Sequence, residues 1–205
     1  MIEAVKQSLS KELYANASFL CERLIAEIYN EETRHMLAEC YIGKFLILNK
    51  GENKLFKAYY VLKEGSSMAN RYKLAVVCLR MQKFNEAEKA LIYKSGNKGD
   101  EEFQVVGGAA GYYLLGTICE QQAKQKEAAK FYNKAVELDP TLWTAFERLC
   151  KLNPQASPET IFRENHPILL ILSGNKDTLN KNKQSLNLNS SPIKIGLQGI
   201  SIYHL

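Results

Sequence analysis

The sequence predicts an all-α fold in which paired helices repeat and stack into a solenoid, followed by a tail. Apolar residues recur at spacings of three and four through most of the first 152 residues, as on the buried face of helices. Breaks separate the predicted helices into pairs with similar internal spacing, which is typical of repeat proteins. The single strand candidate is residues 103–106, which is too short to support a sheet.

Length and composition exclude several classes of protein. The chain has 205 residues, is 46% hydrophobic and carries a net charge of +5 that is spread along it. We therefore expect neither wholesale disorder nor a nucleic-acid-binding stripe. The longest aliphatic run, residues 168–172, is far shorter than the ~20 residues that cross a bilayer. Charged residues near the N-terminus argue against a signal peptide.

The N-terminal half predicts two helix pairs. A first helix covers residues 2–12, and Asn16 is a candidate N-cap for a second helix that ends near residue 29. Thr33 is a candidate cap for a third helix, and a fourth helix ends at Gly65.

The remaining helices follow at similar spacing. Residues 68–82 and 84–94 predict a third pair, and residues 109–123 and 125–138 predict a fourth. Pro140 ends that pair, and one further helix starts near residue 141.

Residues 109–142 match the tetratricopeptide repeat (TPR) at nearly every consensus position. Small residues at Gly116 and Ala128 allow two helix backbones to approach closely, and large residues fill the space around the crossing. The earlier repeats match less well, and residues 43–50 are an insertion predicted to lengthen one helix. The predicted repeat-core residues are Ala17, Leu37, Ala38, Leu74, Ala75, Ala87, Leu115, Gly116, Ala128, Tyr132, Ala135 and Pro140.

The repeats therefore predict a right-handed superhelix over residues 1–153. Its units are about 1–30, 31–66, 67–99 and 109–142, with a last helix at 142–152. Residues 154–172 are predicted to form a short capping segment, and residues 173–205 a flexible tail rich in Asn and Ser. Ser191 lies in a Ser-Pro-x-Lys sequence and is a candidate phosphorylation site, although chance explains so short a pattern better.

No catalytic, metal-binding or cofactor-binding set is predicted. The five cysteines lack a Cys-x-x-Cys spacing, and each falls at or beside an apolar repeat position, as expected for buried cysteines of a reduced intracellular protein. The turn at Gly107 faintly resembles a dinucleotide-binding loop, but the residues that follow are in helical repeat phase. A small cofactor-binding enzyme built on this turn is the remotest alternative.

The inner helices of the third and fourth pairs predict a groove for a protein ligand. In stacked helix pairs the first helix of each pair lines the concave face. These positions carry Tyr72, Val76, Leu79 and Arg80 in one repeat and Ala110, Tyr113, Thr117, Glu120 and Gln121 in the next. The first set is apolar enough to predict a helix or an extended peptide bound there, or cover by the chain itself.

Three sequence blocks resemble one particular tetratricopeptide family. They are residues 13–27, the run from Glu31 to Tyr41, and residues 138–150, which contains the Trp-x-x-Phe-Glu sequence. In content and order they are similar to the N-terminal domain of the Cdc-twenty-seven type of scaffold subunit of the anaphase-promoting complex. The resemblance covers about residues 1–165 and implies a non-catalytic subunit of a cell-cycle ubiquitin ligase, found in nucleus and cytoplasm.

The resemblance also implies a homodimer. In this family the N-terminal helices of one protomer lie in the groove of the other, which maps the inserted segment to residues 2–29. The interface candidates are Leu9, Leu13, Tyr14, Phe19, Leu20, Tyr72, Val76, Leu79 and Tyr113. The implied partners are a second copy and other subunits of the complex, with no nucleic acid, membrane or cofactor. A generic tetratricopeptide adaptor or co-chaperone that binds a partner's short peptide is the alternative.

Overall fold

A computed structural model describes residues 1–48, 52–94 and 103–153. These residues form nine α-helices and two short strands, in the order α1 Ile2–Ser10, α2 Tyr14–Glu27, α3 Glu31–Leu48, α4 Glu52–Lys63, α5 Met68–Arg80, α6 Phe84–Leu91, β1 Ile92–Lys94, β2 Phe103–Val105, α7 Gly108–Gln121, α8 Gln125–Leu138 and α9 Trp143–Leu152. The prediction of an all-α repeat fold is confirmed. The predicted cap at 154–172, the tail at 173–205 and Ser191 lie outside the described residues.

Three helix pairs close with the same turn. Glu12, Gln82 and Ala123 each adopt a left-handed backbone with φ near +58°, between α1 and α2, α5 and α6, and α7 and α8. At the α1–α2 turn the N–H of residue 13 donates to the carbonyl five residues earlier, and the other two turns repeat this bond. This is the Schellman arrangement that ends helices. Its recurrence shows that α1 and α2 form a repeat of the same kind as the later pairs.

The core fills the space between successive helices. Buried apolar residues form one cluster that extends from Val5 in α1 to Ile118 in α7, and a second cluster that joins α7, α8 and α9. Tyr112 and Phe131 pack against both clusters, so the two are joined at the α7–α8 pair. The predicted repeat-core residues are buried, except for Leu74, which is half-buried.

The α7–α8 crossing shows why residue size matters at the repeat positions. A Cβ atom on Gly116 would lie 2.6 Å from ring atoms of Tyr132, which is fully buried. The Tyr132 hydroxyl donates to the Glu120 carboxylate at 2.7 Å. The ring therefore fills the place that a side chain at position 116 would need.

Two predicted helix caps are wrong. Asn16 lies inside α2, where its side-chain amide donates to the Ser8 hydroxyl at 2.9 Å and ties α2 to α1. Asn30, rather than Thr33, caps α3: its side-chain oxygen accepts from the Thr33 N–H at 2.9 Å, and its own N–H donates to the Thr33 hydroxyl at 3.1 Å. This is a reciprocal capping box, shifted three residues from the predicted cap.

The segment after α6 also differs from the prediction. The helix predicted over 84–94 ends at Leu91, and Ile92–Lys94 pairs antiparallel with Phe103–Val105. The prediction that residues 103–106 are too short for a sheet is therefore wrong, because two short strands suffice for a hairpin. The Arg71 guanidinium holds β1 in place, since its Nε donates to the Ala90 carbonyl and its Nη2 to the Ile92 carbonyl, each at 3.0 Å.

Candidate protein-interaction site

A hollow of about 420 Å³ lies between α5 and α7 and is called the groove below. Three of the four residues predicted to receive a partner, Val76, Leu79 and Tyr113, line it together with Leu114. Arg80, Gln82, Thr117 and Gln121 supply its polar rim. The structure thus joins residues of two repeats into one surface, as the repeat positions predicted.

Tyr72, the fourth predicted receiver, packs at the start of α7 instead of lining the groove. A Cβ atom on Gly107 would lie 2.9 Å from the Tyr72 ring, so the ring rests on the backbone of this turn. Gly107 has φ +85°, a conformation that suits glycine. Burial raises the pKa of the Tyr72 hydroxyl above its ordinary value of 10.0.

The groove is lined by four apolar or aromatic residues and four polar ones, and Arg80 is its one cationic group. Arg80 is exposed and forms no ion pair among the described residues. The nearby Glu120 carboxylate is neutralised by the Arg148 guanidinium at 3.0 Å and also accepts from Tyr132. A carboxylate-binding adaptor needs several converging donors. The groove therefore fits an apolar ligand better than a terminal carboxylate.

The predicted N-terminal contact residues divide into two groups. Leu9 and Leu20 pack against the core of their own chain, and Tyr14 lies over Gly43 of α3. Leu13 and Phe19 are exposed, at 53% and 57%. The inner face of α1 and α2 is thus occupied within the chain, and their outer face remains available to a partner.

The described residues offer little for catalysis. They contain no group of three or more His, Cys, Asp and Glu residues placed to hold a metal ion. Gly107 does follow a strand, but β2 belongs to an antiparallel hairpin, whereas a dinucleotide site needs parallel strands joined by a helix. His35 shares a hydrogen bond with the Asn70 side chain at 2.9 Å and has a structural role there. Nor do these ranges include a helix with the length and hydrophobicity to span a membrane.

Comparison with known proteins identifies the family to which the repeats belong. Residues 10–93 match the family "Anaphase-promoting complex, cyclosome, subunit 3", and residues 109–142 match the tetratricopeptide repeat family. Cell division cycle protein 27 homolog B from Arabidopsis thaliana is 33% identical over 190 residues, which cover 93% of this chain and 23% of that protein. The chain carries a tetratricopeptide domain of the Cdc-twenty-seven type.

Other relatives agree with this assignment. The Cell division cycle protein 27 homolog of Homo sapiens is 30% identical over 167 residues, or 78% of this chain and 19% of that protein. One chain in the crystal structure of the APC/C hetero-tetramer Cut9–Hcn1 superimposes on this chain with a TM-score of 0.58 and 19% sequence identity. The match covers 90% of this chain and 38% of that one. This structural likeness supports the fold alone.

The family match bears on two predictions made from the sequence. The resemblance to the Cdc-twenty-seven type is confirmed, and the domain is non-catalytic, as the sequence predicted. The chain spans only about a fifth to a quarter of the length of these curated relatives.

Proposed function

We propose that this Cdc-twenty-seven-type domain is a scaffold module of the anaphase-promoting complex, a cell-cycle ubiquitin ligase, and that it acts through protein–protein contacts. The observation that carries the proposal is the match of residues 10–93 to subunit 3 of that complex. The fold suits the role, because a stack of helix pairs offers an extended surface to several partners at once. We further propose that the domain works in the nucleus and cytoplasm.

The finer part of the proposal is a homodimer. The groove presents Val76, Leu79 and Tyr113, the α1–α2 turn presents Leu13, and α2 presents Phe19. Exposed apolar residues on one surface and a partly apolar hollow on another suit reciprocal contact between two copies. In this arrangement residues 2–29 of each copy lie against the groove of the other and keep their own packing on α3.

The scaffold role is tested by recovering the tagged chain from cells of its own organism and identifying the proteins bound to it by mass spectrometry. Recovery of other subunits of the anaphase-promoting complex in fixed proportion supports the proposal. Their absence, with the tagged chain folded and abundant, contradicts it.

The homodimer is tested with Leu13→Asp and Phe19→Asp, which place a charge at exposed positions and leave the core intact. Sedimentation velocity should show weaker self-association for both variants than for the unmodified chain. Tyr60→Asp on α4 is the matched control, because Tyr60 is also exposed and lies outside the proposed contact. Equal self-association of all four proteins contradicts the proposed contact.

The adaptor alternative lacks a supporting observation of its own. Peptide-carboxylate capture needs several cationic or amide donors at matching groove positions. The groove rim supplies Arg80 from α5, whereas α7 contributes Thr117 and Gln121.

A further inference from the structure

A second hollow, of about 320 Å³, lies between α4 and the turn that joins α5 to α6. Its lining residues are Leu55, Phe56, Arg80, Met81, Gln82 and Lys83. Arg80 and Gln82 border both this hollow and the groove. None of the residues assigned above to the homodimer contact belongs to α4, so the proposed homodimer does not account for this hollow.

One face of α4 presents aromatic and cationic side chains beside the hollow. Phe56, Tyr60 and Lys63 follow one another at spacings of four and three residues, so they lie along one line of the helix. Phe56 is 43% exposed and Tyr60 is 63% exposed, and the neighbouring Lys57 is also exposed. We call this face of α4, together with the hollow, the α4 surface. Exposed aromatic side chains grouped at a hollow mark interaction sites more often than isolated ones do.

Two cations of the α4 surface already have an anionic neighbour, the Glu86 carboxylate. Glu86 accepts the Tyr59 hydroxyl and forms an ion pair with Lys83 at 3.6 Å. The Tyr59 ring lies 4.0 Å from Lys83 Nζ and 5.3 Å from Lys63 Nζ, measured to the ring centroid. The hydrogen bond from Tyr59 lowers the pKa of Glu86, and the charges of Lys83 and Lys63 lower it further. Lys63 and Lys83 are therefore held in place around a carboxylate of their own chain.

The other two cations, Lys57 and Arg80, lack such an anion. Both side chains are exposed, and neither forms an ion pair with any residue that the structure describes. Lys57 is placed by the Tyr41 ring, whose centroid lies 5.6 Å from its Nζ atom. The α4 surface therefore offers two unpaired positive charges, exposed aromatic rings and a hollow that admits a large side chain.

We propose that the α4 surface binds an acidic segment of another protein. A large apolar side chain of that segment lies in the hollow beside Phe56, and its flanking carboxylates bind Arg80 and Lys57. A guanidinium suits this role because it can donate two parallel hydrogen bonds to one carboxylate. Tyr60 extends the aromatic contact along α4 beyond the hollow. The inference goes beyond the proposed function, since it gives the domain a second partner surface apart from the homodimer contact.

Charge favours an acidic protein segment over two other occupants. Residues 154–205 of this chain carry five Lys and Arg against three Asp and Glu, the same sign of charge as the α4 surface. A nucleic acid presents a continuous row of phosphates and is bound by many cations at once. Two unpaired cations next to the Glu86 carboxylate suit a short acidic segment better than a phosphate backbone.

Peptide display on the immobilised full chain supplies the probe for a test. Selection from a library of random short peptides should enrich peptides in which Asp and Glu flank a Phe, Leu or Trp. Fluorescence polarisation then measures the affinity of the most frequent such peptide, labelled with fluorescein. The same peptide with Lys in place of each acidic residue should bind at least about tenfold more weakly. Enrichment of basic or uncharged peptides alone overturns the proposal.

Variants of the full chain place the peptide on the α4 surface. Phe56→Ser and Arg80→Gln should each weaken its binding at least about tenfold, because each removes a central contact. Lys57→Glu should weaken it at least about fivefold by repelling the acidic side chains. Leu138→Ser on α8 is the matched control for Phe56→Ser, since Leu138 is 42% exposed, and Lys126→Glu is the control for Lys57→Glu. Both controls should leave the affinity unchanged, and circular dichroism checks that every variant is folded.

The outcomes separate this inference from its competitors and from the homodimer. Peptide binding that the three α4-surface variants leave unchanged overturns the proposal. A single-stranded DNA oligonucleotide that displaces the peptide and binds Lys57→Glu more weakly assigns the surface to nucleic acid and also overturns it. In sedimentation velocity Phe56→Ser and Lys57→Glu should self-associate like the unmodified chain, and weaker self-association would assign α4 to that contact instead. A monomeric chain that binds the acidic peptide as described supports this proposal and contradicts only the homodimer.

Discussion

The Asn70 side-chain amide donates to two oxygens of Glu31, a residue 39 positions earlier in the chain. One is the Glu31 backbone carbonyl at 3.0 Å, and the other is a carboxylate oxygen. The same carboxylate accepts the backbone N–H groups of Ser66 at 2.9 Å and Ser67 at 3.3 Å. The start of α3 is thereby fixed to the start of α5, which sets how one repeat stacks on the next.

We expect Asn70→Ala to lower the free energy of unfolding by about 2 kcal/mol, because it removes a buried amide that bonds two oxygens of Glu31. Asn70 is fully buried and its side-chain oxygen also meets the His35 ring. Urea denaturation followed by circular dichroism measures the change. Asn133→Ala removes an amide that bonds Glu137 at the surface and should cost less than about 0.5 kcal/mol. Equal losses for the two variants would contradict the assigned role of Asn70.

The Glu31 carboxylate should make the free energy of unfolding depend on pH. Hydrogen bonds from the Ser66 N–H and the Asn70 amide lower the pKa of Glu31 to about 2, from 4.5. A lowered folded-state pKa stabilises the protein above the unfolded pKa, and that contribution is lost as the pH falls from about 4.5 towards 2.

The unmodified chain should therefore be more stable than Glu31→Gln at pH 7, and the two should converge near pH 2. We expect a difference of about 1 kcal/mol at pH 7, because solvent screens a side chain that is 39% exposed. Denaturation series at pH 7, 4 and 2.5 measure it. A difference that stays constant over this range would show that the charge of Glu31 is not the source.

We expect Gly116→Ala to destabilise the domain by about 1–2 kcal/mol, although alanine favours helix by about 1 kcal/mol. The added Cβ would meet the buried Tyr132 ring at 2.6 Å, and that ring is held by its bond to Glu120. Thermal denaturation measures the loss. Ala110→Ser adds one heavy atom to the same helix at an exposed position and should be nearly neutral. A stabilised Gly116→Ala protein would mean that the α7–α8 crossing has space for the added methyl group.

Ala123→Gly should stabilise the domain by about 0.5–1 kcal/mol, because Ala123 is exposed and holds a left-handed backbone with φ +59°. Ala110→Gly, within α7, should have the opposite sign and cost about 1 kcal/mol. Chemical denaturation of both variants measures the pair. A loss of stability in Ala123→Gly would indicate that this turn carries no backbone strain.

Much of the fold could be predicted because spacing within a helix pair is local. Gly116 and Ala128 lie only twelve residues apart, and their small size marks the crossing directly. The lengthened α3 was also predicted, from the offset between helices in that repeat. In contrast, the spacing predicts helix over Ile92–Lys94. The strand conformation of this segment depends on Arg71, about twenty residues earlier, which local spacing does not reveal.

The candidate site was only partly predictable for a related reason. The sequence predicts that Val76, Leu79 and Tyr113 line the groove, because groove positions recur at the same places in each repeat. Tyr72 does not line the groove, because its ring rests on the backbone of the Gly107 turn, and a contact between residues 35 positions apart leaves no signal in the repeat pattern. The bond between Asn70 and Glu31 was likewise invisible, since a polar pair 39 residues apart leaves no periodic signal.

The most direct test of the central claim is the molar mass of the purified 205-residue chain, measured by light scattering across a dilution series. We expect a species of twice the 23.2 kDa chain mass that dissociates to the monomer on dilution. A mass of 23.2 kDa at every concentration, for a folded protein, would contradict self-association of this Cdc-twenty-seven-type domain.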